Sequence, residues 1–311
     1  MKFVVVGGAG AMGGAYASRL STAGHDVSIL DVSEAAIEAI NRDGLIVSNP
    51  QGIEETFRIP ATNDARTLGH CDVAIVFTKS QHTASAAKLM QSAIDPRTTI
   101  VSLQNGWGNE DTLAETYDPD QIVAGVTYHS ALVKGPGRIA HMLDVGPTYL
   151  GPYVDGDSLA AAERIAEALN AGGIRTTVTP TAKTEVWKKL ILNSAVLAVS
   201  GLTRLKTGDV GNHEELMLIA DQLTRESVAV GQAKGFDVDL DERIAAIRNV
   251  WTLGGQNKTS MLQDVEARRF TEIDAVNGAI LREAAKLGLE APLNRMMAAL
   301  IHGLEASWSA E

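Results

Sequence analysis

The opening stretch, Lys2 to Gly14, most constrains what this chain can fold into. Phe3, Val4, Val5 and Val6 form an unbroken apolar run rich in β-branched residues, which suits a central strand of a parallel sheet covered on both faces. It leads directly into Gly7, Gly8, Ala9, Gly10, Ala11, Met12, Gly13 and Gly14, and from Met12 to Leu20 the apolar period becomes helical. Gly8, Gly10 and Gly13 make a G-x-G-x-x-G pattern, whose missing side chains permit a tight turn, close approach of a pyrophosphate and close packing of helix on strand. With Ala9, Ala11 and Met12 between them, they form a candidate cofactor-binding turn, and the helix N-terminus offers its N–H groups to the phosphates.

A glycine turn that merely tightens a corner is the plainer alternative, and the continuation argues against it. Gly24 reads as a helix C-cap, and a second strand from Asp26 to Leu30 ends on Asp31, about 20 residues beyond the glycines, where an acid meets ribose hydroxyls. The same carboxylate would face the 2′-phosphate of NADP. Two unit charges about 4 Å apart cost roughly 4 kcal/mol at a surface-like dielectric, so NAD is the expected cofactor. The alternative for Asp31 is an ordinary strand-end residue before a helix that Ser33 would cap.

At 311 residues, with 45% hydrophobic content, the chain can bury two cores. A net charge of −11 argues against nucleic acid or an anionic membrane as partner, and leaves a small anionic substrate if positive charge gathers in one cleft. The longest apolar stretches, such as Ala195 to Val199, fall far short of a membrane span, and no signal-peptide pattern precedes the first strand; a cytoplasmic protein is expected. A single cysteine, Cys71, excludes an intrachain disulfide framework and a cysteine-rich metal site.

Further along, Ala35 to Asn41 reads as a helix, and Leu45 to Ser48 with Thr56 to Ile59 as a hairpin. The apolar run Asp72 to Phe77 reads as a buried strand ending at Thr78 and Lys79. Lys79 therefore faces either a ligand or solvent. Ala84 to Ile94 reads as a helix, and the strand Thr99 to Leu103 ends on Gln104, Asn105 and Gly106. From Gln121 to Leu150 the pattern is of short strands broken by Gly135, Pro136, Gly137, Gly146 and Pro147. Beyond Pro180, segments 184–200, 214–234, 241–251, 260–268, 274–287 and 293–307 carry helical periodicity, with Gly235 and Gly288 as stops. The expected architecture is an α/β domain over 1–180 built on a doubly wound sheet, followed by an all-helical domain over 181–311. Several apolar helix faces make a homodimer reasonable.

The helix from Glu185 becomes almost wholly apolar toward Leu202, so Lys189, Asn193 and Leu197, four apart, share one face of a buried helix. Desolvation would lower the Lys189 pKa toward the range useful for proton donation; the alternative is a lysine that snorkels to water like Lys188. Ser260 to Gln263 has capping-box form, so Ser260 serves as an N-cap on that reading. Thr271 to Asp274 reads as another helix start, with Glu272 in a first turn where an acid is favourable.

Together, the glycine turn, Gln104-Asn105-Gly106, Trp187-x-Lys189-Leu190-x-x-Asn193, Ser260-Met261-Leu262-Gln263-Asp264 and Thr271-Glu272-Ile273-Asp274 resemble the ketopantoate reductase (2-dehydropantoate 2-reductase) family over nearly the whole chain. The resemblance implies a Rossmann-type domain joined to a helical domain, with hydride passing between a nicotinamide cofactor and a 2-oxo or 2-hydroxy acid in the cleft between them. It implies Lys189 as general acid and base, and Glu272 as the acid that holds a substrate hydroxyl and tunes Lys189. It further implies Asn105 and Asn193 as positioning groups, with Asn105 also beside the nicotinamide. Ser260 and Asn257 match the region that binds substrate oxygens, and Lys79 a lysine near the cofactor. Two departures stand out. The family's substrate-binding asparagine one turn beyond Asn193 is Leu197, and another is Thr207; Asp31 stands where better-known NADPH-using members carry a basic residue. These departures imply an NAD-using relative acting on a different, less polar or differently shaped hydroxy or oxo acid, with a true ketopantoate reductase left open as the alternative. A β-hydroxyacid dehydrogenase competes, since Met12, Gly13, Gly24, His25 and Asp31 resemble that family's start, but the Gln104 and Ser260 motifs argue against it. A dinucleotide-sensing protein without turnover would need neither Lys189 nor Glu272.

Overall fold

The computed structural model describes residues 1–154, 156 and 158–308; the side chains of 142–145 and residues 309–311 of the expected second domain lie outside the described residues. By its internal contacts the chain divides into two compact units, Met1–Gln104 with Asn109–Glu185, and Asn105–Gly108 with Val186–Glu311.

The first unit is built on one sheet of ten strands: β1 (Lys2–Val6), β2 (Asp26–Leu30), β3 (Leu45–Ser48), β4 (Glu54–Phe57), β5 (Ala61–Thr62), β6 (Val73–Val76), β7 (Thr99–Ser102), β8 (Ile122–Gly135), β9 (Arg138–Pro152) and β10 (Thr176–Val178). Their order is β4-β3-β9-β8-β7-β6-β1-β2-β5, with β10 beside β9. The run β5-β2-β1-β6-β7-β8 is parallel throughout. Residues of β1 alternate between two cores, as a strand covered on both faces must. Phe3 and Val5 pack with Tyr16, Leu20, Ile165 and Leu169, whereas Val4 and Val6 pack with Ala86, Met90 and Leu113. This is the doubly wound Rossmann-type arrangement, in which the connections reverse between β1 and β6 and open a crevice at the strands' carboxyl ends.

Three sequence expectations in this unit need correction. The hairpin's return strand is Glu54–Phe57, not Thr56 to Ile59, because Asn49 closes the turn: its side chain accepts from Gln51 and Ile53 N–H groups, so pairing begins at Glu54 opposite Ser48. Between Gln121 and Leu150 there are two long antiparallel strands rather than many short ones. Gly135 to Gly137 does turn the chain, but Gly146 and Pro147 lie inside β9, where a register shift near Thr127 and His129 accommodates them. The helix expected over 84–94 is Thr83–Met90, tightening into a 3₁₀ turn at Gln91–Ala93.

Behind this sheet, Glu110 is buried in the short helix Asn109–Ala114. Burial pushes its carboxyl up to about 7, against the opposing pull of its backbone hydrogen bond and of Ser102. Between the ordinary carboxylate range and about 7 the folded chain keeps a proton that the unfolded chain has lost, so stability falls as pH rises through that window. Glu110→Gln is therefore expected to gain up to about 3 kcal/mol on wild type between about pH 5 and about pH 8. Urea melts at both pH values measure it; an identical offset at each would remove Glu110 as the titrating group.

The second unit is helical. Its helices include Glu214–Ala233, Leu240–Leu253, Ser260–Glu266, Asn277–Lys286 and Pro292–Trp308, together with the part of Ala182–Thr203 beyond Glu185. They enclose a core containing Trp187, Ile191, Leu223, Ile280 and Ile301. Gly235 at φ 86° and Gly288 at φ 68° end two of them in the left-handed region. The segment around Glu272 is not a helix start: the Thr271 hydroxyl accepts from Ile273, the Glu272 carbonyl accepts from Ala275 and Val276, and the helix begins only at Asn277. No helix among the described residues is long and apolar enough to cross a membrane.

Candidate active site

In the first unit, the glycine turn links β1 to the helix Ala11–Thr22. The sharp bend falls at Gly7, at φ 76°, one residue ahead of the G-x-G-x-x-G pattern, where a Cβ would stand 3.0 Å from the Thr78 nitrogen. The doubled glycine after an apolar strand was the available signal for it. At Gly8 a side chain would collide with the Val5 carbonyl and Ile29, and at Gly13 with the Gly7 carbonyl at 2.4 Å. The helix therefore lies directly on the turn. Gly10 is its N-cap and supplies no side-chain cap, so the first-turn N–H groups of Ala11, Met12 and Gly13 are left for an anion.

Asp31 follows β2, and its carboxylate faces this turn: one oxygen accepts from the Ala9 N–H at 3.0 Å and the other from the Ser33 N–H at 3.0 Å. Ser33 is the N-cap of the next helix but makes no side-chain cap bond. A cavity of about 370 Å³ opens beside Asp31, with Gly7, Leu30, Val32, Thr78 and His82 among its walls. Val32, Thr78 and His82 were not apparent from sequence, because their common wall forms only when β1, β2 and β6 lie side by side. Lys79, half-buried, is the next residue after Thr78. The buried Gln104 amide pins this segment by donating to the Thr78 carbonyl at 2.9 Å and to the Thr83 hydroxyl at 2.8 Å. A glycine cradle that rejects side chains, an uncapped helix end and an acid at the second strand fit a dinucleotide.

In the second unit, Lys189 is half-buried and its ammonium donates to Asn105 Oδ1 at 2.8 Å. Burial pushes the Lys189 pKa down to about 8, and the Glu272 carboxylate opposes that shift. Such an ammonium can release and recover a proton near neutral pH. One turn along the helix, Asn193 is buried, only 7% exposed. Leu197, one turn further, lies in the apolar core.

The remaining residues fall differently. Ser260 is exposed and is the first residue of its helix; the N-cap is Thr259, whose hydroxyl accepts from Leu262 at 3.1 Å. Asn257 is exposed and turns its carbonyl to Thr207, accepting from the Thr207 N–H at 2.9 Å and hydroxyl at 2.8 Å. The Thr207 hydroxyl is thereby engaged within the fold. Among the described residues no group of three or more His, Cys, Asp or Glu side chains is arranged to hold a metal.

Comparison with known proteins gives the same pattern across both units. Residues 4–155 match the family description "Ketopantoate reductase PanE/ApbA", and residues 181–305 match "Ketopantoate reductase PanE/ApbA C terminal". A 2-dehydropantoate 2-reductase from Streptococcus pyogenes is 30% identical over 97% of this chain and 98% of its own length. One from Archaeoglobus fulgidus is 30% identical over 97% and 98%. Among solved structures, a ternary structure of D-mandelate dehydrogenase with NADH and anilino(oxo)acetate superposes with a TM-score of 0.92 at 26% identity, covering 98% of this chain and 99% of that one. A ketopantoate reductase of the PanE/ApbA family from Ralstonia eutropha gives 0.87 at 30% identity, covering 98% and 99%.

Proposed function

This chain belongs to the ketopantoate reductase family, and on that premise we propose that it is an NADH-dependent reductase of a 2-oxo acid, working in reverse as a 2-hydroxy acid dehydrogenase. The observation that carries this reading is the half-buried Lys189, its pKa lowered to about 8, bonded to Asn105 and within the field of Glu272. A nicotinamide cofactor, held by the glycine turn and Asp31, would supply the hydride to the carbonyl carbon. Lys189 then gives its proton to the carbonyl oxygen, on which negative charge develops, and in the other direction neutral Lys189 takes the proton from the hydroxyl. Asn105 holds the Lys189 ammonium in place, Glu272 offsets the cost of burying it and holds a substrate hydroxyl, and the Asn193 amide binds a substrate oxygen. Ser260 and Asn257 complete the substrate region. In the first unit, Gly8, Gly10 and Gly13 with Ala9, Ala11 and Met12 cradle the pyrophosphate, Asp31 holds the ribose, and Lys79 lies toward the cofactor.

NAD is favoured over NADP because the Asp31 carboxylate already faces the turn where the ribose would lie. Leu197, packed in the apolar core one turn beyond Asn193, offers a substrate no polar group, which favours a less polar substituent beside the oxo group. The neighbour named D-mandelate dehydrogenase supports that choice. A second reading, ketopantoate itself, is favoured by the curated relatives that carry the 2-dehydropantoate 2-reductase name.

Initial rates with phenylglyoxylate and with ketopantoate, each with NADH and NADPH, test the proposal. Phenylglyoxylate reduction by NADH at kcat/KM above about 10⁴ M⁻¹s⁻¹ supports the apolar reading. Higher efficiency with ketopantoate selects the second, and turnover of neither rejects both. The direction of the Lys189 shift adds a pH signature. Reduction needs the ammonium, so its kcat/KM is expected to fall as pH rises through about 8, while kcat/KM for oxidation rises through the same pH. Parallel profiles in the two directions would contradict the assignment.

A further inference from the structure

The segment Asn105–Gly108 lies in the contacts of the helical unit, although it follows β7 in sequence. Its form is imposed at several points. Gly106 stands at φ 90°, and a Cβ there would come within 2.6 Å of Ala275. The next N–H, that of Trp107, donates to the Ala275 carbonyl at 3.0 Å, and the Ala275 N–H donates in turn to the Glu272 carbonyl at 3.0 Å. The segment is thus clipped to the turn that carries Glu272.

The Trp107 ring makes the other attachment. It packs edge-on against Trp187 at 5.0 Å and Phe236 at 5.5 Å. Trp187 precedes Lys189 by two residues on the same helix and is itself immobilised: its indole N–H donates to the Ser227 carbonyl at 3.2 Å, and only glycine at 231 leaves room for it. Lys234 closes the cluster, its ammonium 5.4 Å from the Trp107 ring and paired with the buried Glu283. A cation over aromatic faces and an ion pair beneath hold these rings as one body.

We propose that Trp107 is a positioning residue for proton transfer, fixing Asn105 against Lys189 by tying the Asn105–Gly108 segment at once to the Lys189 helix and to the Glu272 turn. The proposal rests on the role assigned above to Lys189. Trp107 touches no reacting atom; it acts through Asn105. Truncation of its ring removes the anchor beside Trp187 and loosens the hold on Asn105 Oδ1 opposite the ammonium, and displacements of about 1 Å at such a group cost up to about a hundredfold in rate.

The test is a double-mutant cycle on Trp107→Ala and Asn105→Ala, read first without substrate. Trace labelling of Lys189 by acetic anhydride across pH, quantified by mass spectrometry, reports the inflection of its amine. Both single variants are expected to move the inflection to the same pH, the double variant to move it no further, and Trp107→Phe to keep the wild-type value. In steady-state reduction, Trp107→Ala is expected to lower kcat by about tenfold or more with KM nearly unchanged, and to have no further effect once Asn105 is alanine. Trp107→Leu serves in place of an alanine variant that does not fold. An unmoved inflection with only a lower melting temperature, additive shifts, or an Asn105→Ala variant that leaves Lys189 untouched would each overturn the proposal. Because the labelling needs no substrate, it supports or rejects the coupling even where no 2-oxo acid is turned over, the result that would reject the proposed activity instead.

Discussion

Lys189→Ala is expected to lower kcat for 2-oxo acid reduction by about 10² to 10⁴, the range in which a positioned proton donor contributes. On the proposed mechanism hydride arrival would leave negative charge on the carbonyl oxygen, which the ammonium would stabilise and protonate, so its loss should fall on the chemical step rather than on KM. Lys189→Arg separates the two contributions. A guanidinium keeps the positive charge but does not give up a proton, so oxidation is expected to remain at the alanine level while reduction recovers only in part. Single-turnover rates in both directions measure this. Activity of the alanine variant within tenfold of wild type would take Lys189 out of the mechanism.

The second large effect is expected at Asp31. With wild type, NADH should be preferred over NADPH by up to about 10³ in kcat/KM, the equivalent of the roughly 4 kcal/mol between two close charges, and by about tenfold where salt screens them. Asp31→Ala should erase most of that preference. It should do so mainly by relieving the repulsion on NADPH, while NADH also weakens because the carboxylate accepts from the Ala9 and Ser33 N–H groups and shapes the turn. Asp31→Asn keeps an acceptor oxygen without the charge and should retain more NADH activity. Equal kcat/KM for the two cofactors in wild type would defeat the electrostatic argument.

Elements whose signal is local were legible in the sequence. β1 and its glycine turn combine an apolar run with residues that alone tolerate the bend, and the helical period beyond Pro180 needs no knowledge of what lies opposite. The errors came where a distant partner or one side chain decides the outcome. Gly146 and Pro147 read as strand breakers until a register shift opposite Tyr128 gives them a place. Thr259 takes the cap that the spacing gave to Ser260, because its hydroxyl reaches Leu262.

For the chemistry, residue types and spacing placed Lys189 and Asn193 on one helix face and left open whether the lysine reached water. That answer depends on desolvation, a property of everything packed around the amine, and on Asn105, 84 residues away along the chain. The gathering of Asn105 and Glu272 about one ammonium, with the Trp107 ring packed on Trp187 two residues before it, likewise has no local pattern. It exists only because long-range packing brings a loop after a strand, a turn before a helix and an aromatic cluster to the same place. Period and backbone permission act over a few residues and are written in order along the chain, whereas the environment of a buried charge is a sum over neighbours that only the folded chain assembles.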